Sequence, residues 1–353
     1  MTDWNDYLAA QSARHSATEP AYVRDFGVTL SQDELAGGFV AVIGDQGLIA
    51  VSGADAATFL HNQLTNDVTH LGASEARLAG YCTPKGRLQA SFLMWRTDDS
   101  IFLQLPREIQ APLQKRLSMF VMRSKATLSD ATDAGATQVL LGFGGVRATQ
   151  VLEQMFGSVP AKPYDKLDHG LGTLIRLADA FGAARFQWIA SADVAQAAWP
   201  ALSTALTAAG ADAWRLSEIH AGVPQITLKT QEQFVPQMIN FELLGGVNFK
   251  KGCYPGQEIV ARSQYLGKLK RRTVLATIDS ALAQPGDEIF AVSDPEQPCG
   301  MVVNAAPNGS GGVDALVEVK LAALEEGEVR LGSAGGVPLR FHAMPYSLDA
   351  LAL

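Results

Sequence analysis

A thiol held between two lysines and a proline–glycine turn constrains this chain more than any other stretch. Val247-Asn248-Phe249-Lys250-Lys251-Gly252-Cys253-Tyr254-Pro255-Gly256-Gln257-Glu258 puts apolar residues, two cations, a thiol, an aromatic and a carboxylate in immediate succession. Glycine is the usual residue where backbone turns sharply or lets another group come close. Pro255 fixes φ and lacks an N–H, so Tyr254-Pro255-Gly256 reads as a turn. Ile259-Val260-Ala261 suits a helix start, with Glu258 near its positive end. Cys253 is then expected on a tight turn beside cations and near a helix N-terminus, and both influences favour a thiolate. The same pattern also suits a buried structural cysteine in a loop–helix connection.

Lys251-Gly252-Cys253-Tyr254-Pro255-Gly256-Gln257-Glu258 resembles the signature of the YgfZ family, Lys-Gly-Cys-Tyr/Phe-x-Gly-Gln-Glu. That family comprises folate-binding proteins related to the aminomethyltransferase (T-protein) of the glycine cleavage system. The likeness extends upstream through Gly53-Ala54-Asp55, Phe59-Leu60, Gln63, Thr65-Asn66-Asp67-Val68 and Lys85-Gly86-Arg87. The T-protein carries paired aspartates that align with Ala90 and Ser91, and one of them is its acid/base near the folate nitrogen. Alanine cannot transfer a proton, and serine is a poor acid or base unaided. The resemblance thus implies a retained folate pocket without glycine-cleavage aminomethyl transfer.

It further implies tetrahydrofolate as cofactor, Cys253 as the key thiol and Lys251 as the cation favouring its thiolate. Trp214, Asn66, Tyr254, Gln257, Glu258 and Arg262 become the expected folate contacts, with no metal ligand among them. An indole offers a flat apolar face to a pterin or aminobenzoyl ring; a core aromatic is the alternative for Trp214. The function implied is a folate-binding accessory protein for iron–sulfur cluster assembly or repair, indirectly supporting tRNA modification. Its partners would be iron–sulfur client or assembly proteins, with no direct nucleic acid and no membrane. Two rivals stand beside it: a folate-dependent one-carbon or aminomethyl transferase, and a tRNA-binding protein.

Composition narrows these choices. A length of 353 residues points to two or three domains. A net charge of −8 argues against a general polyanion binder. Cys82, Cys253 and Cys299 are odd in number and far apart, which excludes a disulfide framework and any CxxC motif. No apolar run reaches the ~18–20 residues that span a bilayer. The N-terminus lacks the basic start and apolar core of a secretory signal, so a cytoplasmic location is expected.

Along the chain, residues 1–35 read as a polar arm. Residues 36–136 read as the folate-binding N-terminal domain, with strands at 39–43 and 48–52 joined by a turn at 44–47. Residues 137–213 read as a β-α-β-β-α unit of ferredoxin-like α+β type. Its Gly142-Phe143-Gly144-Gly145 run is a strand–helix turn, since Arg147 stands where a nucleotide loop needs its third glycine. Residues 214–268 carry the signature and are expected to pack back on the folate-binding domain. Residues 269–353 alternate short β-like stretches with Gly and Pro, which suits a small β-barrel. Arg262, Lys268, Lys270, Arg271 and Arg272 form a basic run that reads either as a solvated linker or as an anion site. The fold class is therefore α+β, and the resemblance implies a three-domain ring closed by the barrel.

Overall fold

Three large antiparallel-rich sheets carry the chain, each fed by strands far apart in sequence. The computed structural model describes residues 4–17, 22–132, 138–265 and 269–348, so Lys268 lies outside the described residues.

The first sheet runs in the order Ala76–Cys82, Leu88–Arg96, Ser100–Pro106, Gln46–Ser52, Thr127–Asp130. Successive side chains on a strand point to opposite faces. One face, with Phe92, Met94 and Leu103, is covered by the helices Ala56–His61 and Arg107–Ser118 through Phe59, Leu60, Ile109, Leu113 and Leu117. The other face, with Leu78 and Leu93, turns inward to the core shared by all three sheets.

The second sheet runs Lys166–His169, Gly172–Ala180, Ala183–Ser191, Gln138–Gly144, Phe39–Val42, Thr207–Ala209. The helices Ala148–Phe156 and Ala192–Ala205 cover one side through Leu152, Phe156, Trp199 and Leu202. Ser191 caps the second helix by accepting from Val194 N–H. This is the β-α-β-β-α unit with Lys166–His169 added at one end and Phe39–Val42 and Thr207–Ala209 at the other. Phe39–Val42 departs from expectation. It pairs with Gln138–Gly144 and Thr207–Ala209 rather than forming a hairpin with Gln46–Ser52. All four of its residues are buried, which is how a strand covered on both faces reads: as a continuous apolar run. The strand thus crosses from the 36–136 segment into the sheet of the 137–213 segment.

The third sheet curls into the barrel, in the order Val329–Leu331, Glu288–Ala291, Asp294–Pro307, Val313–Lys320, Arg271–Ile278, Leu339–His342. An isolated bridge between Arg330 and Pro338 brings its two edges together, removing most of the open edge that a flat sheet would expose.

The N-terminal segment is docked rather than a polar arm. Trp4 meets Trp199 edge-on at 5.9 Å, and Phe26 stacks on the same ring at 5.4 Å. Charge counts hid three widely spaced apolar anchors, Trp4, Leu8 and Val23, all buried. The basic run is also corrected. Arg271 pairs with Glu318 and Arg272 with buried Glu242, so both cations are consumed by structural partners.

Candidate functional site

The signature turn is built on the end of the helix Ala56–His61. Lys251, 9 % exposed, donates from Nζ to the carbonyls of His61 and Leu64, the latter at 2.7 Å. The His61 carbonyl is one that the helix end leaves without an internal donor, the Leu64 carbonyl follows just beyond it, and a cation there also opposes the helix dipole. Its Nζ lies 4.7 Å from the centre of the Tyr254 ring. Burial pulls the ammonium down to about 8, while Asp67 and Cys253 act in the other direction. Lys251 is therefore first a clamp that fixes the turn to the N-terminal sheet, and only second a charge felt by the thiol. Gly256, at φ 81°, sits so near the 83–87 turn that a Cβ would lie 2.4 Å from the Thr83 carbonyl oxygen. Only glycine fits that approach.

Lys251→Met should strip the charged donor from both carbonyls and cost about 1–3 kcal/mol, read as a lowered urea midpoint. An unchanged midpoint would mean that water replaces the ammonium without loss.

Cys253 is exposed, whereas Cys82 and Cys299 are buried. Burial pushes the Cys82 thiol up to about 12, so Cys253 is the thiol available for reaction. Among the described residues no cluster of three His, Cys, Asp or Glu side chains could hold a metal ion.

The other expected contacts are placed differently. Asn66 Nδ2 donates to the Leu78 and Gly245 carbonyls, each at 2.7 Å, and its Oδ1 accepts from Asp67 N–H at 2.8 Å. Its hydrogen-bonding groups are thus engaged in holding chain to chain. Tyr254 is buried beneath Lys251, and burial raises its phenol. Gln257 and Glu258 open the helix Gln257–Tyr265, and both Glu258 and Arg262 are exposed on it. Trp214 is fully buried in the shared core, under the Arg185 guanidinium at 4.8 Å from the ring centre. An indole sealed this way cannot stack on a ligand.

A hollow of the molecule lies elsewhere, between the first sheet, the helix Ala211–His220 and the barrel. A chamber of about 480 Å³ is walled by Gly44, Asp45 and Gln46, by Arg107 and Glu108, by Arg215 and Glu218, by Val223 and Gln225, and by Asn304 of the barrel. That volume lies in the range of small-molecule sites. Behind it is a recess of about 40 Å³ that reaches Ser91, Gln104, Arg185 and Gln187, with room for water rather than for a bicyclic ring. Gln46, Glu218, Val223 and Gln225 line both. Neither Cys253 nor any of the other seven expected site residues lines either space.

Ser91, one of the two residues standing at the aspartate positions, lines the recess, but its Oγ accepts the Ile226 N–H at 3.0 Å. Ala90 is buried in the core beneath the first sheet. Three carboxylates line the chamber instead, Asp45, Glu108 and Glu218, and the last stands on the helix Ala211–His220. Burial pushes Glu218 up to about 7, with Arg185 and Arg215 opposing and Asp45 assisting. The signal for Glu218 was available in sequence: it stands among Ala213, Trp214, Leu216, Ser217 and Ile219, on a helix buried nearly all round. An acid in such a setting, without the salt bridges that Asp212 makes to Arg24 and Arg215 on the same helix, is rarely a bystander.

The sheet order and the barrel define the class. The structure has the fold of the glycine-cleavage aminomethyltransferases. It superposes on the crystal structure of glycine cleavage system aminomethyltransferase T from Bartonella henselae with a TM-score of 0.75, covering 98% of this chain and 97% of that one at 17% identity. No family model matches the chain. Curated relatives narrow the class. The chain is 32% identical over 311 residues to the tRNA-modifying protein YgfZ of Cronobacter sakazakii, covering 86% of this chain and 92% of that protein. It is 32% identical over 307 residues to the YgfZ of Edwardsiella ictaluri, covering 85% and 90%. The chain belongs to the YgfZ family.

Proposed function

We propose that this protein binds tetrahydrofolate in the central chamber and serves as an accessory factor for iron–sulfur cluster assembly or repair, supporting tRNA modification indirectly. The observation that carries the folate reading is the chamber itself, ligand-sized and lined by amides, carboxylates and arginines. Cys253, exposed and separate from that lining, is the thiol offered to client or assembly proteins. Direct tRNA binding is disfavoured by the net charge of −8 and by the pairing of Arg271 and Arg272 within the fold. No described helix is long and apolar enough to cross a membrane; a cytoplasmic site of action is part of the proposal.

The test is titration of the purified protein with tetrahydrofolate and with tRNA at two salt concentrations. Saturable folate binding with weak, salt-sensitive tRNA binding supports the reading. Tight tRNA binding with no folate response overturns it.

Cys253→Ala should leave folate affinity unchanged, because the thiol does not line the chamber, and should lower the activity of cluster-dependent enzymes in cells relying on the variant. Full complementation would make the thiol structural.

A further inference from the structure

Resting on the folate reading of the chamber, the geometry points to a polarity relay, Glu218–Gln225–Gln46, that sets whether the chamber wall offers a ligand an acceptor or a donor. Gln225 Nε2 donates to Glu218 Oε1 at 3.2 Å, and Gln46 Nε2 donates to Gln225 Oε1 at 3.0 Å. At the far end Gln46 Oε1 is buried with no hydrogen-bond partner among the described residues, although Gln46 is only 3 % exposed and lines both chamber and recess. A buried acceptor left unmade costs about 1–3 kcal/mol, which a ligand N–H recovers.

The direction of the chain is fixed by its anchor. An ionised carboxylate only accepts, so Gln225 must turn its amide nitrogen to Glu218 and its oxygen to Gln46. Gln46 must then present nitrogen to Gln225 and oxygen to the chamber. A protonated Glu218 can donate instead, and both amides then reverse, which leaves a donor facing the chamber. The charged and titratable groups that act on Glu218 are Arg185, Asp45, Arg215 and Tyr164. Burial outweighs the arginines, and the carboxyl titrates at about 7, so both directions are populated near neutral pH. The ionised form selects a ligand edge rich in N–H, such as the aminopyrimidinone edge of a pterin.

The experiment measures affinity against pH for three probes: tetrahydrofolate, a pterin without the tail, and p-aminobenzoylglutamate, which lacks the N–H edge. Binding to the ionised form alone gives an affinity rising about tenfold from pH 6 to pH 8 for the first two, and no slope for the third. Glu218→Gln and Gln225→Met, each checked for a native melt, should flatten the slope. The second variant cuts the chain by removing the donor to Glu218 while the carboxyl group itself stays, and it carries the test if the first does not fold. Folate binding with no pH slope, or a slope that survives in the variants, overturns the relay and leaves the folate reading standing. A pH-dependent pterin response without folate binding overturns the folate reading and leaves the relay. No binding of any probe overturns both.

Discussion

Glu242→Ala is expected to destabilise the protein by about 3–5 kcal/mol. The Glu242 and Arg272 side chains are 1% and 6% exposed, and Arg272 Nη1 donates both to Glu242 and, at 2.9 Å, to the Gln237 carbonyl. Burial raises the Glu242 carboxyl and Arg272 opposes the shift. The intact pair therefore adds little net stability, because desolvation offsets attraction. Removing one member is different: it leaves a guanidinium in the interior with only a carbonyl for company. The damage would also spread. Glu242 lies in the loop whose Gly245 and Gly246 carbonyls accept from Asn66 and Thr65, at 2.7 and 2.6 Å. That loop joins the 226–250 stretch to the first sheet and leads into the Cys253 turn. A urea midpoint lowered by the corresponding amount checks the prediction, with Glu242→Leu/Arg272→Met recovering most of the loss. A change below about 1 kcal/mol in the single variant would mean that Arg272 swings out to water.

The contrast between what the sequence disclosed and what it concealed has a physical basis. Periodicity reports local burial, so most strands of the barrel and the helix after Pro106 were legible, whereas the Ala-rich stretch 193–209 reads as one helix but ends at Ala205 and continues as the strand Thr207–Ala209, and the short barrel strand Val329–Leu331 gave no signal. It does not report which sheet a strand joins. Phe39–Val42 and Gln46–Ser52 look like a hairpin, but the apolar run at 39–42 is covered on both faces and its neighbours in space are 138–144 and 207–209. The signature turn was legible as a turn because Pro255 and Gly256 dictate backbone. Its chemistry was less so: Lys251 beside Cys253 suggested activation, yet the carbonyls that take its protons belong to residues 61 and 64. The chamber was hidden for the same reason. Gln46, Gln225 and Glu218 are ordinary residues separated by up to 179 positions, and only the folded chain shows that they touch.

Trp214→Ala should cost about 3–5 kcal/mol of stability while leaving folate affinity within about threefold of wild type, measured well below the melting range. An indole flanked by a conspicuous Arg-Leu segment suggests a ligand platform, but its surroundings say otherwise. The ring is fully buried, Arg185 lies over it at 4.8 Å, and a Cβ at Gly142 would fall 2.2 Å from the ring's Cε3. Gly142 lies in the strand Gln138–Gly144, and the absence of a side chain there is what lets the indole lie against the sheet. Deleting the ring leaves a cavity that the barrel and the two sheets can only partly collapse. Arg185 lines the recess from above the ring, so a small indirect change in affinity is expected and a large one is not. A tenfold loss of affinity with an unaltered melt would put the indole back in contact with ligand. The glycine supplies an independent check. Gly142→Ala alone forces a methyl group into the indole and should cost about 1–3 kcal/mol or more. In the Trp214→Ala background the same methyl enters the vacated space, so the two costs should fall well short of adding. Simple additivity would show that ring and glycine are not packed together, and the core placement of Trp214 would fail with it.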